Sequence, residues 1–380
     1  MIHMKKLILV SALILLLTGS FAQDRGRVRE FGIFPGILET GPWNAITDVD
    51  GVKVGHRTLV RGDSVRTGVT VILPHGGNLF QEKVPAAVCV GNGFGKALGF
   101  TQVQELGNLE TPIALTNTLG VFTAASALVE YTLTLPGNDQ VRSVNPVVGE
   151  TNDGWLNDIR GRHLSEADLL EALARAKGGP VAEGNVGAGT GTLCLGYKGG
   201  IGTSSRRLAE TGGGYTVGVL VQTNFGGILS INGAPVGEEL ENHYVAHASD
   251  YRVDGSCMIV IATDAPLSAR NLERMARRSF LALGRVGSFM SNGSGDYAIA
   301  FSTHPDCRIP YRSDQQIRKS TELENNAMSP LFLAVVEATE EAVYNSLFMA
   351  EDMSGYKGHF KPALPLEQTL EILDRHKARQ

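Results

Sequence analysis

The feature that most restricts this chain is a set of short, near-continuously apolar runs, rich in β-branched and aromatic residues, at 69–73, 86–90, 215–222, 257–262 and 297–301. Runs of this length are strand-sized, and their lack of polar alternation predicts sheets covered on both faces. Short glycine loops separate them. Glycine is the compositional outlier, with 46 of 380 residues where an average chain holds about 7%. Helices are predicted where capping chemistry meets a helical period. Ser165, with Asp168 three residues on, Leu164 outside and Leu169, Leu170 and Leu173 inside, starts one that Gly178-Gly179-Pro180 should stop. A second follows Pro266 through Leu272, Ala276 and Phe280. Ser329-Pro330 opens a third, apolar enough to be buried, and a last one spans about 365–376. No repeat, low-complexity tract or Pro/Ser-rich linker interrupts the pattern. One compact α/β body is expected, with packed sheets and helices outside.

Residues 1–22 stand apart from this pattern. Lys5 and Lys6 precede an apolar run and the small-residue approach Ser20-Phe21-Ala22, the layout of a cleavable signal peptide. The run is too short to span a bilayer. The expectation is export, a periplasmic location, a single catalytic domain over 23–380, and no stable membrane insertion after signal cleavage. The formal charge of −5 and the lack of a Lys/Arg block argue against a nucleic-acid partner. Arg25, Arg27 and Arg29 form the densest early basic cluster and read as solvated. Cys89, Cys194, Cys257 and Cys307 are too sparse for a disulfide scaffold and read as buried thiols. There is no CxxC or HExxH, and the nine His are scattered; neither a metal nor another cofactor is expected.

Four polar islands at strand ends carry the chemical interest. At Asp254-Gly255-Ser256 a polar loop gives way to an apolar strand. Attack by the Ser256 hydroxyl on the Gly255 carbonyl would turn the peptide into an ester that water can cleave. Ser256 would then hold a hydroxyl and a free α-amine, a base of ordinary pKa near 8. In Gly293-Ser294-Gly295-Asp296, Ser294 can bond Ser256 and Asp296 can orient the proton-transfer network. Asn224 offers an amide donor for an oxyanion, and Glu150, followed by Asn152, offers a carboxylate for a substrate ammonium. Taken singly, each island reads as an ordinary turn or solvated loop; the functional reading comes from taking them together. The glycine stretch 187–191 lacks the Lys-Ser/Thr ending of a phosphate loop and reads as close backbone packing.

Together these stretches resemble the DmpA/BapA family of self-processing aminopeptidases, peptidase family S58, which includes L-aminopeptidase/D-esterases and β-peptidyl aminopeptidases. The resemblance runs through 41–49 (GPWNAITDV), 51–56 (GVKVGH), 187–191 (GAGTG), 198–202 (KGGIG), 254–256 (DGS), 262–267 (ATDAPL) and 292–296 (NGSGD). It implies a four-layer αββα sandwich that resembles N-terminal-nucleophile hydrolases but is differently connected. It also implies cleavage between Gly255 and Ser256 into chains 23–255 and 256–380, which stay associated and assemble as a homotetramer of such pairs. By the same resemblance Ser256 is the nucleophile, Ser294 the supporting serine and Asp296 the acidic partner, where some relatives carry Glu. Asn224 is the oxyanion donor and Glu150 the receiver of the substrate amine. Asn152 stands where some relatives place Tyr; its shorter amide can donate a hydrogen bond but does not reproduce an aromatic wall or phenolic reach. The expected substrate is a short peptide, amide or ester with a free amine. Acyl transfer to a second amine, and a secreted binding protein without chemistry, are the alternatives.

Overall fold

The computed structural model describes residues 24–242 and 254–380. The expected signal peptide, 1–22, lies outside the described residues, as do Arg252 and Val253 ahead of the Gly–Ser junction.

The first half of the chain lays down β1 (Lys53–Arg61), β2 (Val65–Leu73), β3 (Glu82–Gly93), α1 (Phe100–Leu106), β4 (Ile113–Asn117), α2 (Val121–Thr134), β5 (Val147–Thr151) and α3 (Glu166–Ala174). The second half adds β6 (Ile201–Arg207), β7 (Thr216–Asn224), β8 (Asp254–Thr263), α4 (Ala269–Arg285), β9 (Gly293–Ser302), α5 (Ser329–Phe348) and α6 (Leu366–Arg375). A smaller sheet runs in the order β1-β2-β4-β5 and a larger one in the order β3-β9-β8-β7-β6. Neighbours are antiparallel except at two parallel steps, β4–β5 and β8–β9.

Strand alternation sorts side chains into three cores. Ile72, Leu115 and Val147 of the smaller sheet meet Leu220, Val260 and Phe301 of the larger one in a shared interior. The intervening residues of the larger sheet, Val219, Ile259 and Ala300, face α4 and α5 through Leu272 and Val335. On the far side Val71 and Ala114 pack on α2 and α3 through Leu128 and Leu169. The result is the expected αββα sandwich, with both faces of each sheet covered. Burial of each such aliphatic side chain stabilises the fold by roughly 1.5–3 kcal/mol. β6 lies so close to α5 that a Cβ on Gly202 would stand 1.9 Å from the Ala342 carbonyl oxygen. Glycine is therefore required there for layer spacing.

α3 starts at the predicted capping box, Ser165 with Asp168, but it ends at Ala174, short of the glycine-proline stop. The reading of Arg25, Arg27 and Arg29 as solvated is corrected. Arg27 pairs with buried Glu183 at 2.8 Å, Arg29 with buried Glu341 at 2.8 Å, and Arg25 donates to the Leu364 carbonyl at 2.8 Å. The basic stretch thus straps the start of the described chain onto Glu183, α5 and the segment just before α6. All four cysteines are free thiols; Cys89 is only half-buried and the others are buried.

Candidate active site

β8 is central in its sheet, and its N-terminal end is where the polar islands converge. Register places Asn224 of β7 opposite Ser256, and Gly295 of β9 opposite it on the other side. Ser256 is 4% exposed. Its hydroxyl donates to the Gly255 carbonyl at 2.5 Å and accepts weakly from the Gly295 N–H at 3.4 Å. Ser256 and Gly255 open onto a cavity of about 600 Å³ that also touches Asn224, Glu150 and Asn152. Asn224 Oδ1 accepts the Leu193 N–H at 3.0 Å, which leaves the donor end of the amide free for a developing oxyanion.

Glu150 is the last but one residue of β5, not part of a solvated loop as its polar surroundings suggest, and it is 3% exposed. Oε1 accepts the Lys96 N–H at 2.9 Å and Oε2 accepts the Thr118 hydroxyl. Among the described residues no basic side chain pairs with it. A buried carboxylate held by two neutral donors is a receptor for a cation that the protein itself does not supply. Asn152 is exposed on the same wall, its Oδ1 committed to the Gly154 N–H at 2.9 Å, so its NH2 is the end open to a ligand.

Ser294 and Asp296 lie within β9, which starts at Gly293 rather than at Tyr297. Register sets Gly255 opposite Ser294 and Cys257 opposite Asp296. By alternation both side chains stand on the helix-facing side of the sheet with Cys257, whereas Ser256 stands on the inter-sheet side with Met258. Neither lines the cavity in the uncut chain. Among the described residues the buried Ser294 hydroxyl and Asp296 carboxylate make no well-aligned hydrogen bond, although the Ser294 hydroxyl and the Cys257 backbone lie near enough to stabilise the carboxylate. Burial pushes the Asp296 carboxyl up to about 6, a rise held back by Ser294 and the Cys257 backbone. A buried carboxylic acid without a well-aligned partner, next to a serine, is costly for stability alone.

Two buried charged groups escape sequence reasoning. Lys198 is fully buried and donates to the Gly189 and Gly199 carbonyls at 3.0 and 2.7 Å, and burial lowers its ammonium to about 7. Asp153 is buried beside Asn157 Nδ2 at 3.0 Å, and burial raises its carboxyl to about 6. The KGGIG stretch marks Lys198 in the sequence, but nothing there shows that it is buried. Burial also pushes the Cys257 thiol up, and that of Cys194, on the cavity wall, up to about 12. Neither is a thiolate at neutral pH, so neither competes with Ser256 as nucleophile. Among the described residues no group of three His, Cys, Asp or Glu side chains is placed to hold a metal ion, and no helix is long and apolar enough to cross a membrane.

A serine hydroxyl laid against the carbonyl on its own N-terminal side, at a central strand end of an αββα sandwich, is the arrangement expected of an N-terminal-nucleophile hydrolase. The comparisons agree on the family. The model for peptidase family S58 matches residues 44–361, and the chain belongs to that family. It is 39% identical over 386 residues, 96% of each chain, to the β-peptidyl aminopeptidase BapA of Sphingosinicella microcystinivorans. The structure superposes on a Burkholderia sp. β-aminopeptidase with a TM-score of 0.85 at 41% identity, covering 92% of this chain and 99% of that one. It superposes on the L-aminopeptidase D-Ala-esterase/amidase of Ochrobactrum anthropi with a TM-score of 0.86 at 36% identity, covering 93% and 99%. The latter is described as a prototype for the serine aminopeptidases and a new variant among the Ntn hydrolase fold.

Proposed function

We propose that the chain cuts its own Gly255–Ser256 bond and then removes N-terminal residues from short peptides, amides or esters through an acyl-enzyme on Ser256. The observation that carries this is the 2.5 Å hydrogen bond from the Ser256 hydroxyl to the Gly255 carbonyl, made in the cavity that also contains Asn224 and Glu150. In the first reaction Ser256 Oγ adds to the Gly255 carbonyl carbon, the C–N bond breaks to leave an ester, and water releases chain 23–255 from chain 256–380. The two remain associated because β8 and β9 of the second chain are paired between β3 on one side and β7 and β6 on the other, all three from the first chain.

In the second reaction Glu150 takes the substrate ammonium, Ser256 attacks the neighbouring acyl carbon, and Asn224 donates to the oxyanion. The new α-amine of Ser256 accepts the hydroxyl proton and passes it to the departing amine; water then resolves the ester. Scission releases Ser256 from the constraint of the preceding residue. Its amine and hydroxyl can then turn toward Ser294 and Asp296, so the proposed roles of those two residues belong to the cut enzyme. The names of two relatives support β-amino acids on the acyl side, and that of the L-aminopeptidase D-Ala-esterase/amidase supports α-amino acids. Export to the periplasm, on the signal-peptide layout of residues 1–22, and assembly as a tetramer of cut pairs, on the family resemblance, remain part of the proposal. The test is a panel of α- and β-aminoacyl amides, esters and dipeptides with products read by mass. Release of the N-terminal residue is expected; internal cleavage, or turnover of N-acetylated substrates at equal rate, would refute it.

A further inference from the structure

We infer that Lys361 reads the free carboxylate of the leaving group, so that this enzyme's preferred substrates are unblocked dipeptides held at both ends. The inference rests on the aminopeptidase reading of Ser256, Asn224 and Glu150 and adds the far end of the substrate.

Lys361 lines the same cavity and is half-buried. Among the described residues its ammonium has no hydrogen-bond or carboxylate partner. Burial lowers its pKa, and no nearby acid offsets that. A cation desolvated in this way gains from an incoming anion.

It reaches the cavity on a different element from Glu150. Glu150 is held by the N–H of Lys96, just beyond the end of β3, on the β9–β3 side of Ser256. On the other side, next to β7, lies a short hairpin of Leu193–Cys194 and Tyr197–Lys198. Asn224 Oδ1 accepts the Leu193 N–H, and the Phe225 carbonyl accepts the Leu195 N–H at 2.7 Å. The Lys198 N–H in turn donates to the Pro362 carbonyl at 2.8 Å, docking the residue after Lys361 on that hairpin. The segment is also pinned at the rim, where His359 stacks on Trp155 at 3.9 Å and bonds its carbonyl at 2.7 Å. Glu150 and Lys361 thus reach the one cavity from different elements, the amine receptor from β5 and an unpaired cation from a segment docked on Trp155 and on the hairpin beside β7.

Lys96, the other cation on the wall, is exposed, sits over the Phe94 ring at 5.3 Å and lies on the Glu150 side, where a leaving group does not go. A cavity of about 600 Å³ is of small-ligand size. In turnover one water is consumed: the amide C–N bond breaks, an O–C bond to water's oxygen replaces it, and the departing amino acid gains one proton and keeps its carboxylate.

The test compares one dipeptide as free acid and as C-terminal amide, with kcat and KM measured separately on the full-length enzyme. For the wild type the acid is expected to be favoured about tenfold in kcat/KM, through KM, the scale of one charge-assisted contact. Lys361→Met is expected to bring the acid-to-amide ratio to about one, and Lys361→Arg to keep it. A wild-type ratio near one, or a ratio that Lys361→Met leaves unchanged, overturns the inference while the aminopeptidase reading stands. Wild-type turnover of neither compound overturns both.

Discussion

The substitution Glu150→Gln isolates charge from shape at the amine end of the site. Glu150 is 3% exposed and accepts the Lys96 N–H at 2.9 Å and the Thr118 hydroxyl. In the variant the amide oxygen can keep the Lys96 bond, and the amide NH2 can donate to Thr118, whose hydroxyl then serves as acceptor. The fold thus loses little, whereas a substrate ammonium loses its counter-charge in a buried setting. Truncating one partner of such a pair costs 2–5 kcal/mol. About 3 kcal/mol corresponds to roughly a 150-fold fall in kcat/KM. The assay is hydrolysis of an aminoacyl p-nitroanilide alongside its N-acetyl analogue, with intact mass used to check that both proteins are equally cut. The free-amine substrate should lose about two orders of magnitude, and the acetylated one, slow in the wild type, should change little. A Glu150→Gln enzyme within about threefold of wild type, or one that loses both substrates equally, would refute the assignment of Glu150 as ammonium receptor.

Two further outcomes follow from the geometry. Asn224→Ala removes the proposed oxyanion donor, and kcat should fall about 10²–10³-fold with KM nearly unchanged; a loss confined to KM would move Asn224 from the chemistry to binding. Asp296 titrates at about 6 in the fold against an ordinary 3.8, so the folded chain favours its protonated form. That contribution to stability is complete below about pH 4 and lost as pH rises through about 6, up to roughly 3 kcal/mol in all. In uncut Ser256→Ala protein, adding Asp296→Asn should therefore raise Tm relative to its parent more at pH 7 than at pH 4; an equal change at both would show that Asp296 does not titrate this way.

The sequence shows the fold best where burial is uniform. The second halves of β8 and β9 are apolar without break and stand out, but their first residues, Gly255-Ser256 and Gly293 to Asp296, are small or polar and become strand only through mutual pairing. β5 is hidden for a related reason. Gly149 and Glu150 end its apolar run, yet Gly149 packs directly under the Met258 side chain, whose Cε would stand 2.3 Å from a Cβ there. α2 goes unread because it lacks a side-chain cap and carries the exposed Phe122 among its buried residues. The site residues could be nominated from strand-end islands and from resemblance. The partners that give them meaning could not: Thr118 reaches Glu150 because β4 pairs parallel with β5, Arg27 finds Glu183 across 156 positions, and Lys361 arrives from the far end of the chain. The opposite-face placement of Ser294 and Asp296 is likewise a matter of register, legible only once strand partners are known.

Everything proposed for the chemistry depends on Ser256 becoming a chain terminus. The direct measurement is intact mass with N-terminal sequencing of wild type and Ser256→Ala, read beside their turnover of one aminoacyl amide. Two chains, the second beginning at Ser256, are expected for active wild type, and a single inactive chain for the variant. An active enzyme whose backbone is continuous across Gly255 and Ser256 would contradict the account.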